Sequence, residues 1–523
     1  MLMTQAMATV GAPSAPWLTI LILLALAGGV TLWLVKPLQS VARPFALGVS
    51  VIIAAVYFAA LGMDFSVGAA GSVQFAETYA WIPQIGVSLA WGINGMGAVM
   101  IALAVILVPV VIGAEWEDRE DSDIASYFAW ILVLEAIMIG LFAARDIFVF
   151  YILFEAMIIP MYFLIGRYGG EKRKRAAMKF LLYSLAGGLI MLAGVIGVFV
   201  YGPGGEQAFM IDNIAGNLVV TETAQLWMFL SFFIAFAIKA PMFPVHTWLP
   251  DTTEQATPGT STLLVGVLDK LGTFGMIAIC LPLFPDAATK VAPAIMFFAL
   301  ISIIWGAFMA INSDNLLRLV AYTSVSHFGF IVIGIFSGSQ LAMTGSILYM
   351  VAHGVGTAGL FLVVGFLEKR GGSYLISSYG GWQRVTPLIA GSFMIAGLAT
   401  IALPGLSGFI PEYLVLMGTY KVSPGIAMVA ATGVVLAALY ILLPYQRLFT
   451  GPKPDTTVSD LGGREKTVMG VLIAAMVALG FYPAPVLDYV TPVAEETAIL
   501  ITVADDTAAA ADVETAIVEG SSK

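Results

Sequence analysis

Long apolar runs separated by short polar ones set the pattern of this chain. A bilayer core takes about 20 apolar residues per helix. By that measure about 14 segments qualify as membrane spans: 16–36, 43–63, 96–114, 125–144, 146–168, 177–201, 224–250, 259–284, 291–311, 318–337, 341–368, 386–418, 425–449 and 465–490. Two are too long to be plain rods. The seventh is interrupted around Lys239, Pro241 and Pro244, and the twelfth within Leu403–Glu412, "LPGLSGFIPE". Prolines and glycines there remove backbone hydrogen bonds that lipid cannot replace, so each break must lie inside the protein or against a watery cavity.

The two breaks are five spans apart. Spans four to eight (125–284) and nine to thirteen (285–450) thus form two blocks of five, and an odd number of crossings inverts the second block relative to the first. Broken helices at matching places in inverted repeats point to an ion or substrate site near mid-membrane. The expected fold is an all-α polytopic membrane protein with an N-terminal three-helix region (1–124), two inverted five-helix repeats, and a last helix with an acidic, disordered tail (451–523). Within the first region, "SVQFAETYAWIPQIGVSLAW" has enough Val, Ile, Tyr and Trp for a small hairpin on the outer side. Met1 to Pro16 lacks a basic region, so the first span is read as retained and not as a cleaved signal.

Composition agrees and adds topology. The chain is 60% hydrophobic and 11% charged, as expected where the solvent is lipid. If the N-terminus lies outside, most of the 23 lysines and arginines fall in inward-facing loops, "RYGGEKRKRAAMK" above all, and both termini face outward. The net charge of −10 is carried largely by loops and the acidic end, and no basic face suggests a nucleic acid partner. The lone cysteine, Cys280, cannot form an internal disulfide. Three histidines without a Cys/His cluster leave no ligand set for zinc, haem or an iron–sulfur centre, so no metal or cofactor site is expected in this chain.

Ionisable residues nonetheless recur at mid-span. Glu135, Glu155, Lys239, Lys270, His327 and His353 lie in spans four, five, seven, eight, ten and eleven, and Glu412 stands beside the twelfth-span break. A charge at the bilayer centre costs roughly 2.5 to 3.5 kcal/mol, so the five acids and lysines would together cost on the order of 12 to 18 kcal/mol if charged in lipid. They must be paired, hydrated or neutral. A chain of such groups facing internal water suits a proton relay, yet each has a plainer alternative. Glu135 and Glu155 can be paired or protonated helix glue. Lys239 can cap the carbonyls of its broken helix, and each histidine can be a hydrogen-bonded structural residue. Asp269 adjoins Lys270, but successive helical residues point about 100° apart and need not pair.

The stretches "FEAMIIPMYFLIGRYGG", "KAPMFPVHTWLPD", "DNLLRLVAYTSVSHFGF" and "LPGLSGFIPEYLVL" closely resemble the subunit M family of bacterial proton-pumping NADH-quinone oxidoreductase, respiratory complex I, over roughly 16–490. The resemblance implies that Glu155, Lys239, Lys270 and Glu412 are relay residues, with His327 and His353 on the connecting path. It further implies NADH, FMN, iron–sulfur clusters and quinone in partner subunits, neighbours of the antiporter-like L and N types, and a bacterial inner membrane. The chain reads "LPDTTEQATPGT" where many relatives read LPDAHTEAPT, so its loop lacks that histidine. A sodium/proton antiporter of the Mrp type and a membrane-bound hydrogenase subunit share these features and are the alternatives.

Overall fold

The computed structural model describes residues 13–117 and 121–501, side chains of 121 and 122 excepted. Twelve helices among them are long and apolar enough to cross a membrane, and a thirteenth is the pair Gly463–Phe481 and Ala484–Ile501, bent by 64°. The expected twelfth span is present as two short pieces, Pro387–Thr400 and Phe409–Val422. The spans are not equivalent. Every residue in the apolar windows of Leu316–Phe336 and Gln340–Gly371 is buried, and nearly every one in Pro258–Leu283, whereas Ala42–Asp64 and Pro424–Phe449 bury about a third. Spans eight, ten and eleven are therefore the protein's interior, and apolar faces on the outer spans are left for lipid or other chains.

Both long spans break where the prolines require. Helix Glu222–Lys239 stops at Lys239, and the chain re-enters a short helix at Trp248–Thr253. Pieces Pro387–Thr400 and Phe409–Val422 are separated by a loop in which Ala402 and Gly405 adopt left-handed φ of 57° and 91°. A third, milder interruption, of hydrogen bonding only, lies in the fifth span: Ile147–Tyr168 runs on as one helix through Met157, which keeps helical φ and ψ of −64° and −19°, but the ladder is broken there. Pro160 is the cause, since it has no N–H to offer the Ala156 carbonyl.

A two-stranded antiparallel hairpin, β1 (Gln74–Ile82) and β2 (Val87–Ile93), covers one end of the bundle. Its Glu77 accepts hydrogen bonds from the backbone N–H groups of Leu18 and Thr19 at 2.9 and 3.2 Å, closing the positive end of the first helix. Past Pro492 the chain remains helical to Ile501 and packs back onto the bundle: Val493, Ala494 and Ala498 are buried, and Gln340 donates to Glu495. The acidic, disordered tail expected at the C-terminal end lies within 502–523, while 493–501 belong to the last helix. The N-terminal residues 1–12, Arg119 and the acidic stretch 502–523 lie outside the described residues.

At the opposite end an ionic cluster pins the second half of the broken seventh span. Asp251 accepts from Lys179 and Arg318 at 2.6 Å each, and Arg318 also reaches Glu254 at 2.7 Å. Burial alone would raise the Asp251 carboxyl, but the hydrogen bonds and charges of Lys179 and Arg318 outweigh it and hold the group below its ordinary value. A depressed folded-state value contributes stability that is complete above the unfolded value and is lost as pH falls through the folded one. Asp251→Ala is therefore expected to cost about 1 kcal/mol near neutrality, discounted for partial exposure. That difference from wild type, measured by thermal unfolding in detergent, should shrink toward zero below about pH 4.

Candidate functional site

The end of the broken seventh helix separates the two readings of Lys239. A helix that stops inside a membrane protein leaves carbonyls without N–H partners. Here the Ile238 carbonyl accepts the indole N–H of Trp248 at 2.8 Å. Lys239 does not cap the helix: its Nζ is buried and bonds to no protein acceptor, lying 5.2 Å from the ring centroid of Phe180 and 5.8 Å from that of Phe154. An ammonium in such an aromatic cage gains cation–π attraction but still needs a counter-charge. The carboxylates whose field reaches it are Asp269 and Glu155.

Glu155 stands two residues before Met157, where the fifth-span ladder is interrupted, and is half-buried, with Oε1 unbonded. Its carboxylate lies against Gly188 of the sixth span, so closely that a Cβ on that glycine would collide with it. The glycine is there for the carboxylate.

Span eight, Pro258–Leu283, carries the next groups. It is wound irregularly, with five-residue π-helical segments at Leu264–Leu268 and Met276–Cys280 on either side of Lys270–Gly275. Such segments often mark functional positions in helices. Gly272 and Gly275 let this helix press onto the end of the seventh: a Cβ on Gly272 would strike the Phe236 carbonyl and the Ala240 backbone, and one on Gly275 the Phe236 ring. Asp269 is fully buried, with neither oxygen hydrogen-bonded to the protein, and it acts electrostatically on both Lys239 and Lys270. Lys270 turns the other way. Its Nζ bonds the Val265 carbonyl at 2.5 Å and the Nδ1 of His353 at 2.7 Å.

From His353 the line continues across the second half of the protein. The rings of His353 and His327 lie 5.3 Å apart, and His327 Nε2 is 3.0 Å from the Tyr440 hydroxyl. Tyr349 donates to Glu412 Oε2 at 2.7 Å. A water-sized cavity of about 10 Å³ lies among His327, Tyr349, His353, Thr357, Thr400 and Gly408. It touches both histidines and the loop that precedes the Glu412 helix. Glu412 itself occupies the first turn of Phe409–Val422, where the helix dipole favours a negative charge.

Of the seven residues singled out from sequence, six thus fall on one line from Glu155 to Glu412. Glu135 is buried with both oxygens unbonded, so no hydrogen bond from its side chain joins it to that line. Sequence reasoning missed two members, Tyr349 and Tyr440, and gave a third, Asp269, no role. Tyr349 is four residues before His353 and shares its helix face, a usable signal. Tyr440 is a lone hydroxyl in an apolar span, and a buried tyrosine hydroxyl usually has a partner. Asp269 was visible as the neighbour of Lys270, with which it makes no hydrogen bond; that its charge also reaches Lys239 depends on how two helices meet. Among the described residues no group of three or more His, Cys, Asp or Glu side chains could hold a metal ion.

A multispanning bundle with broken helices and buried alternating charges defines an antiporter-like membrane subunit. Residues 144–439 match the family described as NADH:quinone oxidoreductase/Mrp antiporter, transmembrane. NADH-quinone oxidoreductase subunit M of Mycobacterium tuberculosis is 42% identical, with 92% of this chain and 94% of that one covered. The subunit M of Escherichia coli K12 is 37% identical over 78% and 82%. Among solved structures, respiratory complex I from Thermus thermophilus superposes with a TM-score of 0.85 at 31% identity, covering 92% of this chain and 99% of that one. A chain of the Mrp complex from Dietzia sp. DQ12-45-1b gives 0.83 at 20% identity over 92% and 97%, a likeness of fold. The chain belongs to the NADH-quinone oxidoreductase subunit M family.

The Gly188 contact gives a test in which stability and activity part. Gly188→Ala is expected to favour the sixth helix by up to about 1 kcal/mol, yet to push the Glu155 carboxylate out of place. Membrane vesicles should hold normal amounts of assembled complex while proton uptake falls at least severalfold. Uptake at the wild-type rate would show that the position of Glu155 is immaterial.

Proposed function

We propose that this chain moves protons through the line Glu155, Lys239, Lys270, His353, His327 and Glu412, driven by electron transfer from NADH to quinone in partner subunits. One observation supports the reading above all: a buried lysine with no hydrogen bond sits at a helix break whose carbonyl is capped by another residue. A structural lysine would use its N–H groups, and this one keeps them for a partner that changes.

In this reading the Glu155–Lys239 pair is the switch. With the carboxylate near, the ammonium is balanced. With it withdrawn, the proton loses its counter-charge and passes toward Lys270, the histidines and Glu412. The blocks 125–284 and 285–450 act as inverted halves, each opening a water path to one side, and Glu135 serves the first half as an accessory group. The chain itself supplies proton-binding side chains and the tight packing that excludes other routes. FMN, iron–sulfur clusters and the quinone site belong to partner subunits, and antiporter-like subunits of the L and N types are the neighbours in a bacterial inner membrane. Both termini lie on the outer side, as the distribution of lysine and arginine supports.

Lys239→Ala tests the centre of this proposal. With the complex still assembled on a native gel, NADH-to-quinone turnover and proton uptake should both fall by about 10²-fold, the scale on which positioned proton donors act. Glu155→Gln should lose pumping likewise. Wild-type rates in both variants would overturn the relay, and sodium-dependent proton exchange without NADH would assign the chain an antiporter's role.

A further inference from the structure

Between Lys239 and Lys270 the line has a gap that neither lysine closes. Lys270 is drawn to the Val265 carbonyl and His353, away from the seventh helix. The Lys239 ammonium has no hydrogen-bonding partner. Asp269 is on the helix that Gly272 and Gly275 press against Phe236 and Ala240, and the charges of both lysines act on it. Neither carboxylate oxygen takes a hydrogen bond from the protein, and the residue is fully buried. A carboxylate so placed can be ionised only while a cation balances it.

Resting on the relay reading above, we propose that Asp269 is a further catalytic residue, a station that accepts the proton from Lys239 and hands it to Lys270. The first step breaks an N–H bond of the Lys239 ammonium and forms an O–H bond on Asp269. The second breaks that O–H bond and forms an N–H bond on neutral Lys270. One proton is carried, and no oxidant or reductant takes part. Before the first step the three groups are positive, negative and neutral. Between the steps all three are neutral. After the second they are neutral, negative and positive, so the net charge of the triad is zero throughout. Direct transfer between the lysines would keep the ammonium and the carboxylate charged and apart throughout, whereas passage through Asp269 cancels both charges between the steps, which a low-dielectric medium favours. The adjacency of Asp269 and Lys270 has a use here: side chains about 100° apart let one helix face two ways, with the carboxylate toward the incoming proton and the amine toward His353.

The test uses assembled complex in membrane vesicles, with Asp269→Asn, Asp269→Glu and Lys239→Ala compared for NADH-to-quinone turnover and proton uptake. Asn has nearly the same shape but cannot carry a proton as a carboxyl does. Uptake in Asp269→Asn should fall about tenfold or more, and Asp269→Glu should recover most of it, which a purely structural role would not predict. Wild-type uptake in Asp269→Asn together with its loss in Lys239→Ala would leave the relay standing and overturn the Asp269 station. Wild-type uptake in both would overturn the relay and the station together. If Asp269→Asn does not assemble, the infrared difference spectrum on adding NADH decides the matter. A carboxyl band that shifts between wild type and Asp269→Glu supports the station, and identical spectra overturn it.

Discussion

Charge in a dry interior has to be compensated at short range, and this constraint governs the structure more than any packing rule. Isolated ions inside a protein are opposed by several kcal/mol each even after relaxation, and this chain buries two lysines and several carboxyls among apolar helices. Compensation by fixed hydrogen bonds would give a stable but inert core. The arrangement differs. Trp248 caps the helix end and Tyr349 bonds Glu412, while Lys239 and Asp269 have no hydrogen-bonding partners in the protein. Groups held only by one another's charge respond when one of them moves.

The backbone is shaped to keep those groups close. Pro160 interrupts the fifth span beside Glu155, Pro241 and Pro244 follow Lys239, and Glu412 begins a helix after a break. Elsewhere in a protein each interruption would cost hydrogen bonds for nothing. At these three places it directs a titratable side chain toward the same line. The eighth span reaches that line by a different route, through π-helical turns and through glycines that let helix axes approach. The price in local regularity is confined to the elements that carry the charges, and the surrounding spans are ordinary apolar helices.

Hydrophobic periodicity made the fold legible because membrane spans are long, uniform and separated by polar loops. The expected segments from 16–36 to 465–490 each have a helical counterpart, including both broken ones. Mid-span charges were legible for the same reason, since Glu155, Lys239, Lys270 and Glu412 stand out against apolar neighbours. What stayed hidden depends on contacts between distant helices. Trp248 as the cap of Ile238 needs the chain to fold back within the seventh span. Tyr440 gains meaning only from His327, 113 residues away. The contact of Glu495 with Gln340, 155 residues away, is likewise invisible to composition.

The order of groups along the line carries its own argument. Carboxylates stand at both ends, Glu155 and Glu412, and two lysines, two histidines and Asp269 lie between them. A proton entering at either end neutralises a negative charge, and one leaving restores it, so neither event strands a positive charge near the bilayer surface of the path. The two ends are not alike. Glu155 is half-buried and leans on a glycine, whereas Glu412 is enclosed, hydrogen-bonded by Tyr349 and set on a helix N-terminus. A carboxylate with a hydroxyl donor and a favourable dipole is held in one geometry, while one resting against an open helix face is free to swing. In the proposed relay the movable element therefore belongs at the Glu155 end, and the Glu412 end is the fixed acceptor. This asymmetry gives the line a direction of control, even though proton transfer along it is reversible at every step.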